Sequence, residues 1–390
     1  MKYNKIIYIR YLPLTEKVFN DFFLADTIKA GFEVEYWDIT KVCLKLELEQ
    51  EDDSYLATCR KFLNYKEIAK AIKLQNIERT LFVVLMPFEQ SVTKLYRIFA
   101  KNNCCVAAFG RNQLPQPPVV FSKRYNVFDP KRLKRILKRI HFEFLKKVGA
   151  LKANDIIFYD GELGWCGVGI ISEKEFNEAT QVRINSVDYD TILALEKTGS
   201  QPVVQGDYVL FLDEYLPLHP DFKILTGYGV LDVATYYNQL NRYFDRIEKQ
   251  YGIPVVIAAH PKALRYKKEN FFNGRQVYWK KTVELSLGAK FFITHDSTSL
   301  NFAVILGKPL HFITSDAIKE ALYTVHADVL LFSELLGCRY QYVDRDDEPL
   351  NISMEVCTER YEWYKKKYMT SDQTKQILSR DIFLDFLKRS

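Results

Sequence analysis

At 390 residues the chain is long for one domain, and two are expected. Its 48% hydrophobic and 27% charged content is that of a soluble globular protein with ample core, which excludes a disordered or fibrous chain. The 55 Lys and Arg against 49 Asp and Glu leave only +6, too mild a surplus to imply nucleic acid as a partner.

In chain order, KIIYIRYL reads as a first strand. A helix around Asp21–Ala30 follows, ended by Gly31, and FEVEYWDI makes a second strand. The apolar run at the N-terminus is too short for a signal peptide, and no stretch reaches about 18 uninterrupted apolar residues. A cytoplasmic location is therefore expected. RTLFVVLMP and CCVAAFG read as buried parallel strands flanking the helical SVTKLYRIFAKN. The seven cysteines are scattered, with no CxxC pair, and suggest reduced, mostly buried thiols rather than zinc ligands.

The basic charge is concentrated in PKRLKRILKRIHFEFLKKVG. Leu133, Ile136, Leu137, Ile140 and Phe144 share one helical face, and Lys131, Arg132, Lys134, Arg135, Lys138 and Arg139 occupy the rest. Either the apolar stripe packs on the first domain's core and the basic side is solvated, or segment 131–147 docks on anionic lipid or an acidic, lipid-linked acceptor. The second alternative would make the protein peripheral on the inner membrane face.

NDIIFYDG is a fifth strand, and from about Glu173 to Gly206 the periodicity is lost, as expected of a crossing between domains. Alternation restarts with strand DYVLFLDEYLP, a helix near Val233–Gln250 and strand IPVVIAAHP. QVYWK, a helical turn near Thr282–Leu287, AKFFITHDS, a helix through Leu300–Leu306 and KPLHFIT complete the series. The pattern predicts an α/β chain of two Rossmann-like domains, 1–200 and 205–370, followed by a C-terminal helix in 371–390.

Open α/β sheets bind ligands outside the carboxyl ends of their strands. His260 stands where PVVIAA ends, and alone it reads equally as a histidine satisfying backbone, with Pro261 starting a helix. Ser297, Thr298 and Ser299 follow a strand and precede an apolar helix, so one of them is a natural N-cap. Three hydroxyls after His295 and Asp296 exceed what a cap needs, and hydroxyls with free backbone N–H groups at a helix start suit a phosphate. The two strand ends are expected to be adjacent and to converge on one anion. Asp213, Glu214 and His219 in LDEYLPLHPDF form another strand-end group, with a rival HP pair.

HPKA followed by HDSTSLNFAVILGKP resembles the C-terminal half of bacterial GT-B glycosyltransferases that build surface polysaccharides, closest to the CMP-sugar-dependent sialyltransferase and Kdo-transferase group. The similarity covers roughly Tyr208–Thr314, and the first half matches in layout only. It implies two domains facing across a cleft, with the C-terminal helix returning to the first. It also implies that His260, Pro261, Ser297, Thr298 and Ser299 hold the donor phosphate. The group carries its catalytic base in an acidic motif whose counterpart is FYDGELG, which points to Asp160, with Tyr159 replacing a first acidic residue and Glu162 as substitute.

The chemistry joins these parts. A carboxylate removes the acceptor hydroxyl's proton, and His260 with the hydroxyls stabilises the departing phosphate. The expected activity is an inverting, metal-independent glycosyl transfer. A nonulosonic acid or Kdo would pass from its CMP donor to a cell-surface glycan or lipid-linked saccharide, with no cofactor. A UDP- or GDP-sugar transferase, a CDP-glycerol-type polyol-phosphate transferase and a non-catalytic binding protein on the same scaffold are the alternatives. DYD at Asp188–Asp190 has the DxD spacing used for divalent metal elsewhere but follows no apolar strand, and DRDDE at Asp344–Glu348 reads as a solvated loop.

Overall fold

A computed structural model describes residues 2–45, 59–116, 130–199, 203–219, 231–374 and 376–390, without the side chains of 130–133 and 135. The chain forms two compact units. One gathers Met1–Gln113, Val120–Val187 and Lys367–Ser390, and the other is built mainly from Asp188–Lys366. The first unit thus runs to Val187 and is rejoined by the chain at Lys367.

Among the described residues, the first unit carries a seven-stranded parallel sheet. Its strands are β1 (Lys5–Arg10), β2 (Glu33–Asp38), β3 (Cys59–Lys61), β4 (Thr80–Val84), β5 (Cys105–Gly110), β6 (Ile156–Asp160) and β7 (Thr180–Ile184), in the order β3-β2-β1-β4-β5-β6-β7. Side chains alternate across the sheet. Ile6, Tyr8, Leu81 and Val83 enter the core on one face, and Ile7, Ile9, Phe82 and Val84 the core on the other. Both faces are covered by helices, which is why the central strands are continuously apolar.

The second unit repeats the plan with six strands. They are β8 (Val209–Leu212), β9 (Val255–Ala259), β10 (Val277–Trp279), β11 (Phe291–Thr294), β12 (Leu310–Thr314) and β13 (Arg339–Tyr342), all parallel, in the order β10-β9-β8-β11-β12-β13. The helix Val233–Tyr251 buries Tyr236, Tyr237, Leu240, Tyr243, Phe244 and Ile247 on this sheet. Asp232 caps its start, and Gly252, at φ +67, ends it. Two parallel-sheet α/β units are therefore present, as expected.

Several sequence expectations are corrected. The stretch after Glu173 does hold the passage from one unit to the next, at Val187–Asp188, but regular elements fill it: helix Glu173–Glu178, strand β7 and helix Val187–Thr198. Asp188 and Asp190 lie in that last helix's first turn, where Asp188 accepts a hydrogen bond from Asn301 at 2.8 Å. The single helix expected around Asp21–Ala30 is two, Glu16–Asp21 and Leu24–Lys29, broken where Phe23 adopts φ +63. No disulfide joins the cysteines, but only Cys104 is fully buried and Cys166 is exposed.

The C-terminal helix, Ser379–Arg389, returns to the first unit and buries Phe383 and Leu387 in its core. Asn185 anchors the approach. Its amide donates to the carbonyls of Ile377 (2.8 Å) and Thr374 (3.3 Å), and its backbone N–H donates to the Ser379 hydroxyl (2.8 Å).

The basic helix, Pro130–Lys147, is present, but its apolar stripe does not pack on the core. Among its described side chains Phe142 and Leu145 are the buried ones, with Phe142 5.0 Å from the Phe88 ring. Ile136, Leu137, Ile140 and Phe144 are exposed by 45, 57, 59 and 58%. The side chains of Lys131, Arg132, Leu133 and Arg135 lie outside the described residues.

Candidate functional site

The expected site residues of the second unit gather at the carboxyl ends of β9, β8 and β11, the edge where such sheets bind ligands. The two motif-bearing strands are not adjacent, because β8 runs between them. Strand spacing puts β9 and β11 about 10 Å apart. The residues leaving β8 are Asp213 and Glu214, and each carboxylate serves one neighbour.

Asp213, buried, accepts the backbone N–H of His260 (3.3 Å) after β9, the Tyr215 N–H (3.1 Å) and the Tyr266 hydroxyl (3.1 Å). Burial pushes its carboxyl up to about 6 despite these three donors. Tyr215, held by this turn, adopts φ +58 and leads into the short helical turn Leu216–Leu218 that delivers His219. The His219 and His260 rings then meet edge to face, centroids 4.7 Å apart. His219 is therefore a companion of His260.

His260 is half-buried, and its Nδ1 accepts the Lys262 N–H at 3.2 Å. In the neutral ring the proton consequently sits on Nε2, which makes that atom a hydrogen-bond donor. Pro261 is exposed and starts a turn rather than a helix.

Glu214, half-buried, serves the other side. Its Oε1 accepts the Thr294 hydroxyl (3.0 Å) and the backbone N–H groups of Asp296 (3.0 Å) and Ser297 (2.8 Å). The Asp296 and Ser297 N–H groups, just ahead of the helix start, are thus satisfied by the protein itself. Burial and the charge of Asp296 hold the Glu214 carboxyl well above the ordinary carboxylate range, and burial raises Asp296 as well. Asp328, on the helix Tyr323–Leu336, is pushed up to about 6 by burial and by Asp296. No sequence signal marked it.

The hydroxyls divide. Ser297 Oγ accepts the Ser299 N–H at 3.3 Å, while Ser299, at the N-cap of the helix Leu300–Ile305, makes no side-chain bond to it. Thr298 is exposed. His295 is a core histidine: its Nδ1–H donates to the Ile313 carbonyl (2.8 Å), Nε2 accepts from Tyr236 (2.9 Å), and burial lowers it to about 4.

In the first unit, Asp160 ends β6 fully buried and accepts the Asn112 N–H at 2.6 Å. Gly164 presses so closely on it that an added Cβ would lie 2.3 Å from Asp160 Oδ1. This carboxylate locks a turn. Glu162 pairs with Lys367.

Asp213 gives a pH test. Between about pH 4 and pH 6 the unfolded chain has released this proton and the folded chain keeps it, so stability falls as pH rises through that window and levels above it. The step is about 3 kcal/mol. Asp213→Asn should remove it, leaving a pH-independent offset for the altered hydrogen bonds. Denaturant titrations of both proteins at pH 4 to 7 check this, and parallel stability curves would show that Asp213 is not held protonated.

No family model matches the sequence, and no curated protein matches it. Solved structures do share its architecture. The wall teichoic acid polymerase TagF, in a histidine-to-asparagine variant, is 12% identical with a TM-score of 0.52, over 99% of this chain and 88% of that one. The same variant soaked with CDPG is 11% identical with a TM-score of 0.50, over 99% and 88%. Acinetobacter baumannii MurG is 8% identical with a TM-score of 0.45, over 99% and 100%. The TagF likeness agrees with the GT-B type of two parallel-sheet α/β units.

Proposed function

We propose that the protein is a GT-B transferase that moves a nucleotide-activated group to a hydroxyl of a cell-surface glycan or lipid-linked acceptor, with inversion and without a metal. The observation that carries this reading is the His219–His260 pair set by Asp213 at the strand ends, with Ser297–Ser299 beyond β8. A ligand touching both sides must span about 10 Å. A nucleotide with its activated group suits that better than a lone phosphate.

In this reading His260 Nε2–H donates to the leaving phosphate as charge develops there. The Thr298 and Ser299 hydroxyls hold the donor, and His219 takes the acceptor proton. Asp160, out of solvent, and Glu162, paired with Lys367, fit the base role less well.

The donor we favour is a cytidine nucleotide. The strand-end motifs resemble those of CMP-sugar transferases, which suggests a nonulosonic acid or Kdo. A CDP-linked polyol is the second reading, favoured by the fold shared with TagF, which has been soaked with CDPG.

The test is a thermal-shift screen with CMP, CDP, UDP and GDP, followed by turnover of the matching donors in EDTA. A nucleotide at a hundred times its Kd stabilises by about 2.7 kcal/mol. Stabilisation by CMP or CDP with EDTA-resistant turnover is the expected result. Nucleotide binding without turnover would make this a binding protein, and turnover lost to EDTA and restored by Mn²⁺ would refute metal independence. Stabilisation by no nucleotide would overturn the reading.

A further inference from the structure

We propose that the helix Pro130–Lys147 lies flat on an anionic lipid bilayer, with its exposed apolar stripe inserted among the headgroups. Ile136, Leu137, Ile140, Phe144 and Val148 are each 45–59% exposed. At about 100° per residue they share one arc of roughly 120°. The helix is tied to its own unit by a different face. Phe142 and Leu145 are buried there, and Lys146 reaches Glu175 at 2.9 Å and the Ile170 carbonyl at 2.8 Å. The stripe is therefore left over from folding, and contiguous large apolar side chains on a surface mark an interaction site.

Charge decides the occupant. The helix carries eight Lys and Arg and one acidic residue, Glu143. Exposed Lys134 borders the arc on one side and exposed Arg139 on the other, and exposed Lys147 lies within it. A second copy seated through a two-fold axis would bring these cationic margins against each other. An anionic bilayer accepts both features: acyl chains take the stripe and headgroup phosphates take the margins. Among the described residues no helix is long and apolar enough to cross a membrane, so this contact is interfacial.

The experiment is sedimentation of the full chain with vesicles of phosphatidylcholine, with and without phosphatidylglycerol, at low and high salt. The wild type should sediment with the anionic vesicles, and high salt should weaken that binding without abolishing it. Lys134→Gln with Arg139→Gln should lower partitioning about 25-fold, at about fivefold per charge. Leu137→Ser, Ile140→Ser and Phe144→Ser together should lower it on the order of 100-fold. Both variants should keep the wild-type melting temperature, since no altered side chain is buried. Wild type left in the supernatant, a serine variant that sediments like wild type, or binding stripped completely by salt would each overturn the proposal. So would a wild-type dimer that the serine variant converts to monomer with no vesicle binding.

Discussion

His260→Ala should lower turnover about 100- to 1,000-fold with the best donor of the panel, the loss typical when one donor to a developing negative charge is removed. The geometry makes the effect specific. The Lys262 N–H occupies Nδ1, so in the neutral ring the proton sits on Nε2, and alanine deletes that donor. Charge on the leaving phosphate grows only as its bond breaks, so kcat should fall much more than nucleotide affinity. The fold should persist, because the bond to Asp213 is made by the residue 260 backbone N–H and survives the change. Steady-state kinetics with a melting curve decide the matter. A folded variant with wild-type kcat would remove His260 from the mechanism.

Gly110→Ala should destabilise the first unit by about 3 kcal/mol or more. An added Cβ would lie 2.2 Å from the Gly164 carbonyl oxygen and 3.0 Å from Trp165 Cα. Both obstacles are backbone, so no rotamer change relieves them. β5 and the turn after β6 would have to separate, which would also strain the Asp160–Asn112 bond. Gly149→Ala is the control: φ is +70 there, but nothing lies within 4 Å of the new methyl, and a cost of about 1 kcal/mol is expected. Calorimetry should show the first unit's transition lowered in Gly110→Ala with the second unchanged. Wild-type melting would mean that the contact relaxes without cost.

These two sites show what could be read from residues alone. Interior strands announce themselves as apolar runs because both faces are covered, and each of them was legible. The strands missed, β3 (CRK), β7 (TQVRI) and β13 (RYQY), are all edge strands, where one neighbour is lacking and polar residues are tolerated. At the site, His260 and the Ser-Thr-Ser run stood out by position. The weight of Asp213 and Glu214 did not, since it depends on β8 lying between β9 and β11, an order unrelated to their order in the chain. The surroundings of Asp160 were not legible, because in sequence a carboxylate at a strand end looks the same whether it faces substrate or clasps a turn. The basic helix has two apolar rows, and periodicity cannot say which one the core will take.

The return of the last helix to the first unit has a consequence for biosynthesis. The core around β1 includes Phe383 and Leu387, so it cannot close until residue 387 has left the ribosome. The second unit's main segment, Asp188–Lys366, is unbroken in sequence and is complete before residue 387 is made. Domains that emerge first ordinarily fold first. Here the later-synthesised unit can mature while the earlier one waits with a gap in its core, and that interval is when the nascent protein is most exposed to chaperones and to aggregation.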